Sequence, residues 1–228
     1  MQIDETELML NGGIKHIIWD WNGTLFNDVV LCKDIMNNIL TRFNLPLLSL
    51  EKYRSVFTFP VQDYYRNAGL DFNHTSFEIL GKDFMDEYEL RKFECTLYPG
   101  VMDGLFSFKS KGITQSILSA YHNKTLEQIV EYFDIRHFFE KLCGLDNIYA
   151  GGKIGIGKEL INSLPYKPDE IVLIGDTVHD KDVADELGIS VIIISNGHQD
   201  HERLNSLNVP VYRNFESFIQ SGLSNRSD

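Results

Sequence analysis

The stretch Ile17 to Phe26, IIWDWNGTLF, carries an apolar run into a carboxylate at Asp20, and Gly23 and Thr24 turn the chain before apolar residues resume. Open α/β sheets hold their reacting groups at the carboxyl ends of buried strands, so a carboxylate placed there stands free to meet a ligand. Asp20 is therefore a candidate nucleophile. Two further apolar runs end the same way. Gln115 to Ala120 (QSILSA) brings Ser119 to a strand end, and Ile171 to Asp180 (IVLIGDTVHD) brings Asp176 there, with Asp180 one helical turn later. If the three strands are parallel neighbours, these residues converge on one rim from distant parts of the chain.

One chemistry such a rim can support is phosphoryl transfer. A carboxylate attacking a phosphoryl centre is repelled by its oxygens, so charge must first be cancelled. Asp20, Asp176 and Asp180 offer hard oxygen ligands suited to Mg²⁺, which favours one or two carboxylates together with phosphate and water. Ser119 can donate a hydrogen bond to a non-bridging oxygen, and helix N-termini after Ser119 and Asp176 aim backbone amides at the same place. Each residue alone has a plainer reading: an Asx turn or cap for Asp20 and Ser119, a helix-start carboxylate for Asp176, a solvated neighbour for Asp180. The order and spacing of the set carry the inference.

These motifs resemble the haloacid-dehalogenase-like superfamily. Its phosphatases carry Asp-x-Asp-x-Thr after the first strand, Ser or Thr after the second, a lysine, and then Gly-Asp-x-x-x-Asp. Here they stand as Asp20-Trp21-Asn22-Gly23-Thr24, Ser119, Lys153 and Gly175-Asp176-Thr177-Val178-His179-Asp180, and the match runs from about Ile14 to Ile194. The resemblance implies an aspartyl-phosphate on Asp20, with Lys153 supplying fixed positive charge. It adds the backbone carbonyl of Asn22 to Asp20, Asp176 and Asp180 as a Mg²⁺ ligand. It also implies that Gly23, Thr24, Ser119, Ala120 and Lys153 hold the substrate. The family lysine precedes a helix, which favours Lys153 over Lys158, one turn further on.

Asn22 departs from the pattern. Family phosphatases have an acid there that protonates the leaving group and then deprotonates the attacking water. An amide carries no such proton. General acid–base assistance is worth about 10²- to 10⁴-fold, so weak hydrolysis of alkyl phosphates is expected, and Asn22→Asp is expected to favour alkyl over aryl or acyl phosphates. His122 or His179, each following a site strand, would be substitute donors. Capped members of this layout resemble phosphoglycolate phosphatases, so the expected activity is Mg-dependent hydrolysis of a small phosphate ester. One alternative is a catalytically weak or inactive protein that binds a phosphorylated metabolite. The other is a dehalogenase-type hydrolase, which also lacks the acid but does not keep the paired carboxylates Asp176 and Asp180.

Strand and helix signals alternate after Tyr98, which predicts an α/β fold, a doubly wound parallel sheet with a Rossmann-like core. Residues 1–26 and 97–220 form that core. Between them, Val29, Ile35, Ile39 and Leu40, then Phe77, Leu80, Phe84 and Tyr88, fall at helical spacing, so residues 27–96 read as an inserted helical cap. In the family a cap closes over the site and selects the substrate. Phe59, Val61, Arg54, Tyr64, Tyr65 and Arg66 can face the pocket, an arginine there pairing with a substrate carboxylate; packed aromatics and surface charges are their plainer reading. A loop is expected from Gly151 to Gly157, a helix over Val183 to Leu187, and a disordered tail over 221–228.

The 228 residues carry 33 acidic and 21 basic side chains, a net charge of -12. No run of Lys and Arg can track a nucleic-acid backbone, and no apolar stretch is long enough to span a membrane. The acidic start MQIDETELMLNGG lacks the features of a signal peptide, and three widely spaced cysteines suit reduced thiols, which together point to the cytoplasm. The expected partner is a small phosphorylated metabolite, and the expected state a monomer or homodimer. Gly152 to Lys158 fits the start of a P-loop, but Glu159 stands where Ser or Thr would hold Mg²⁺. His198 and His201, in a polar connection, read as solvated histidines.

Overall fold

In a computed structural model, which describes residues 13–145 and 152–223, the apolar runs become a six-stranded sheet in the order β5-β4-β1-β6-β7-β8. Its strands are β1 (His16–Trp19), β4 (Thr114–His122), β5 (Lys141–Leu145), β6 (Ile171–Gly175), β7 (Ser190–Ile194) and β8 (Val211–Tyr212). Every pairing is parallel. β1 lies between β4 and β6, with Trp19 opposite Ile117 on one side and Ile174 on the other. The strand order therefore reverses beside Asp20, the switch point at which doubly wound sheets bind ligands.

Both faces of the sheet are covered, as continuous apolar strands require. Ile17 and Trp19 point into a core with Phe108, Phe215 and Phe218, while Ile18 points the other way toward Leu118, Leu173 and Val183. The covering helices of the sheet are α5 (Val101–Ser110), α6 (Asn123–Tyr132), α7 (Gly152–Asn162), α8 (Val178–Leu187), α9 (His201–Asn205) and α10 (Phe215–Leu223). Three expectations change. The expected loop is helical from Gly152, so Lys153 sits in the first turn of α7. The helix expected from Val183 starts at Val178, because Thr177 and Asp180 form a capping box. Residues 221–223 belong to α10 rather than to a disordered tail, since Phe215 and Phe218 anchor that helix on Trp19 at 5.5 and 6.2 Å between rings. The rest of the expected tail lies outside the described residues.

A short antiparallel pair, β2 (Phe26–Asn27) and β3 (Thr96–Leu97), marks where the chain leaves the sheet and returns. Between them run α1 (Val29–Arg42), α2 (Leu50–Val56), α3 (Val61–Asn67) and α4 (Phe77–Arg91). The stripe Val29, Ile35, Ile39 and Leu40 is buried on α1. Arg42 to Asp83 at 2.7 Å and Asn38 to Glu87 at 2.8 Å tie α1 to α4. Among the described residues, no helix is long and apolar enough to cross a membrane.

Candidate active site

Asp20 follows β1 and its amide is held by Ile174 O at 2.8 Å, so the carboxylate projects past the carboxyl edge of the sheet. Asp176 follows β6 in the same way, and Asp180 projects back from the first turn of α8. Oxygens of these three buried carboxylates lie within 4.8 Å of one another. Lys153, carried in by α7, places Nζ 2.5 Å from both Asp20 Oδ1 and Asp180 Oδ1. Asp180 Oδ2 accepts from Thr177 Oγ1 at 2.6 Å and from the amides of Thr177 and Asp176 at 3.0 and 3.2 Å. Thr24 Oγ1 donates to Asp176 Oδ1 at 3.0 Å, tying the first loop to the last acidic pair.

Three carboxylates share one ammonium, and the electrostatics show the shortage. Burial, with Asp180 close by, pushes the Asp20 carboxyl up to about 6 despite Lys153. Burial, with Asp20 and Asp180 close by, pushes Asp176 up to about 8. Asp180 is held below the usual carboxylate range despite its burial, by Lys153 and the Thr177 hydroxyl. Burial alone would lower Lys153, but Asp180 and Asp20 outweigh it and hold the ammonium charged. A hard divalent cation fits this donor set. Such an ion would take the place of the protons that the surplus carboxylates otherwise retain.

β4 runs on to His122, so Ser119 is buried within the strand and not at the expected strand end, at the point where the register with β5 shifts; its Oγ accepts from Tyr121 N at 3.1 Å, and Ala120 lies beside it on the cavity wall. Gly23 has φ +77° and lies against the Asp176 carboxylate, where a Cβ would overlap it; its amide is engaged by Phe26 O and Asp28 Oδ1. Gly197 makes the same close approach to Asp176 from the loop after β7.

Asn22 does not face the site freely. Its Nδ2 donates to Asp28 Oδ2 at 2.8 Å and to Tyr88 OH at 2.7 Å. Buried Asp28 also accepts from Tyr88 OH at 2.8 Å and pairs with His198 Nε2 at 3.2 Å. Although burial opposes ionisation of both, each stabilises the other's charge, so Asp28 is held down and His198 is held up. His198 is thus a buried group of the site and not a solvated histidine. Its Nδ1 bonds Tyr53 OH at 2.8 Å and its amide donates to Asp176 Oδ2 at 2.6 Å. His201 is half-buried, with its Nδ1 bonded to Ser195 Oγ at 2.7 Å. Asp28, Tyr53, Tyr88 and His198 escaped sequence reasoning. The one signal was Asp28, an acid six positions beyond Asn22 at the start of a helix.

A cavity of 710 Å³ opens from these groups toward α2, α3 and α4. Phe59, Val61, Tyr64 and Tyr65 line it, but the two arginines do not. Arg54 donates to the carbonyls of Gly197 and Asn196 at 2.9 and 2.6 Å, and Arg66 pairs with Asp63 at 2.7 Å. His179 lines the cavity with its ring 4.7 Å from that of Phe59, whereas His122 is exposed outside it. Lys158 is exposed, 3.8 Å from Glu186. The P-loop match dissolves as well: Gly157 lies inside α7, close against Leu187 and Leu118. Cys32 stands beside Asp28, and burial together with that carboxylate pushes its thiol well above the usual range, which disfavours the thiolate.

The comparisons with known proteins bear on the family and the fold. The model of the haloacid dehalogenase-like hydrolase family matches residues 17–194. The tyrosine-protein kinase PtkA of Mycobacterium tuberculosis is 22% identical over 80% of this chain, which spans only 62% of that relative's length. The phosphoglycolate phosphatase of Chromobacterium violaceum is 22% identical, with 84% of this chain and 89% of the relative covered. The crystal structure of a predicted phosphatase from Clostridium acetobutylicum superposes with a TM-score of 0.76 at 19% identity, over 94% of this chain and 100% of that one. The chain belongs to the haloacid dehalogenase-like hydrolase family.

Proposed function

We propose that this hydrolase cleaves a small phosphate monoester in two in-line steps with Asp20 as nucleophile. The observation that carries this reading is the meeting of Asp20, Lys153, Asp176 and Asp180 in one buried pocket, with Lys153 Nζ 2.5 Å from two of the carboxylates. The names of the relatives support it, since the phosphatases and the kinase alike are named for chemistry on a phosphoryl group.

In the first step an Asp20 oxygen attacks phosphorus and the ester oxygen departs with the bonding electron pair. In the second, water attacks the same phosphorus, releasing inorganic phosphate and restoring the Asp20 carboxylate. Lys153 neutralises charge on the phosphoryl oxygens, and Ser119 Oγ donates to one of them. Asp20, Asp176, Asp180 and the Asn22 carbonyl would hold Mg²⁺, which supplies Lewis-acid charge neutralisation when bound. The helical segment between β2 and β3 serves as a cap, covering the pocket and excluding bulk water.

Phosphate release from a panel of esters with and without Mg²⁺ tests this reading. Turnover that requires Mg²⁺ and vanishes in Asp20→Asn, with the fold intact by circular dichroism, is the expected result. Retained turnover in that variant would overturn it. Asn22 favours a second reading, a protein that binds phosphorylated ligands without turning them over, because no proton donor stands at that position. Calorimetric binding of phosphate esters without any release of phosphate would select it.

A further inference from the structure

We propose that the ester this site takes is an aryl phosphate, its leaving group a flat apolar body, and not a carboxylate-bearing ester such as phosphoglycolate. The inference rests on the phosphate-ester reading above, and two independent observations point to it.

The first is the cavity. From Asp20 and Lys153 it opens onto Phe57, Phe59, Tyr64, Tyr65, Phe84 and Tyr88, and its 710 Å³ falls in the size range that encloses drug-sized ligands. A two-carbon acid would leave most of it empty. Nor would such an acid find a partner there. Among the described residues lining the cap side, the one Lys or Arg is Lys82, exposed on α4 and paired with Asp86. Arg54 is spent on backbone carbonyls and Arg66 on Asp63. The buried charges beside the aromatic wall, Asp28 and His198, are paired with each other at 3.2 Å, so neither stands free for a second carboxylate. Aromatic walls instead reward a ring by apolar burial and by edge-to-face or offset stacking.

The second observation is Asn22, held as a donor by Asp28 and Tyr88 and without a proton to give. A leaving oxygen finds no proton donor at that position. A phenol ionises near about 10, far below an aliphatic alcohol, so a phenolate leaves without help where an alkoxide does not. In balance, Asp20 forms the new P–O bond, the aryl P–O bond breaks with its electrons on the phenolate, and solvent supplies that proton. Water then cleaves the aspartyl-phosphate to inorganic phosphate.

Three ligands test the proposal: naphthyl phosphate, carboxyphenyl phosphate of similar leaving group, and phosphoglycolate. With Mg²⁺, kcat/KM for the naphthyl ester is expected to exceed both others by at least about tenfold. Calorimetry on Asp20→Asn, and on the wild-type chain in EDTA, is expected to show the same order in Kd. Gly81 lines the cavity with open space where a Cβ would stand, so Gly81→Phe adds a bulky side chain at the cavity wall with no clash at its Cβ. That variant should lose the naphthyl preference in both arms. A naphthyl preference in binding with no turnover of any ester sinks hydrolysis and keeps the ligand class. Turnover of phosphoglycolate or the carboxyphenyl ester at equal or greater kcat/KM, or an unchanged preference in Gly81→Phe, overturns the ligand class and keeps hydrolysis. Absence of both binding and turnover overturns both.

Discussion

Asn22 and Asp28 form a matched donor and acceptor, with Nδ2 2.8 Å from Oδ2, at the position where family phosphatases hold a proton-transferring acid. The match changes the outcome expected from sequence for Asn22→Asp. A carboxyl placed there meets a buried carboxylate, so the two share a proton and neither cycles freely. Turnover of alkyl phosphates should rise little in the single variant and about tenfold more in Asn22→Asp with Asp28→Asn, which restores complementarity. A double-mutant cycle on urea stability should show a coupling of about 1 kcal/mol or more between the positions. A single variant as active as the double one would contradict the argument.

Legibility in the sequence followed the physics of each element. Asp20, Ser119 and Asp176 could be read because strands buried on both faces leave apolar runs, and each run ends on its functional residue. Asp180 followed from helical spacing, and Lys153 from the order of motifs. The Asp28–His198 pair could not be read, since 170 residues separate its members and His198 is held inward by tertiary contacts, its amide on Asp176 and its ring on Tyr53. The stripe on α4 was ambiguous for a different reason. Periodicity marks Phe77, Phe84 and Tyr88 as one face, but it does not tell a packed core from the wall of a cavity.

Lys153 is the one ammonium among three buried carboxylates, and a shorter side chain cannot replace it. Lys153→Met should lower kcat by about 10²- to 10³-fold on every ester tested. It should also destabilise the metal-free chain by about 3 kcal/mol, by leaving Asp20 and Asp180 unpaired. Lys158→Met, at an exposed position, should change stability by less than about 0.5 kcal/mol and leave kcat as it is. Equal losses in the two variants would remove Lys153 from the site.

If the proposed site holds Mg²⁺, the surplus of carboxylates would make the ion a folding ligand as well. At about a hundredfold excess over its Kd, the ion should stabilise the chain by about 2.7 kcal/mol. For a protein of this length that is several degrees in Tm, readable by scanning calorimetry. Asp176→Asn should abolish most of the increase, whereas Asp182→Asn, on an exposed position of α8, should keep it. A Tm indifferent to Mg²⁺ in the wild-type chain would remove the metal from the proposed site.

His16 gives a pH dependence that is independent of the site. Its ring lies at the base of β1, buried against Tyr166 at 5.6 Å, with Nδ1 bonded to Thr114 Oγ1 at 2.7 Å and Nε2 without a partner. Burial pulls its pKa down to about 4, so the folded chain resists a proton that the unfolded chain accepts near 6.5. The depressed value fixes the sign: stability is fully present above pH 6.5 and is lost as pH falls toward 4. Between pH 7.5 and pH 5 the loss from this group is about 2 kcal/mol. His16→Phe keeps the stack on Tyr166 and carries no titrating group, and Thr114 Oγ1 retains Lys15 O and Tyr166 OH as partners. Urea denaturation at the two pH values should therefore show a shallower acid loss in the variant by about that amount, and identical slopes would mean that the buried ring takes up its proton without unfolding.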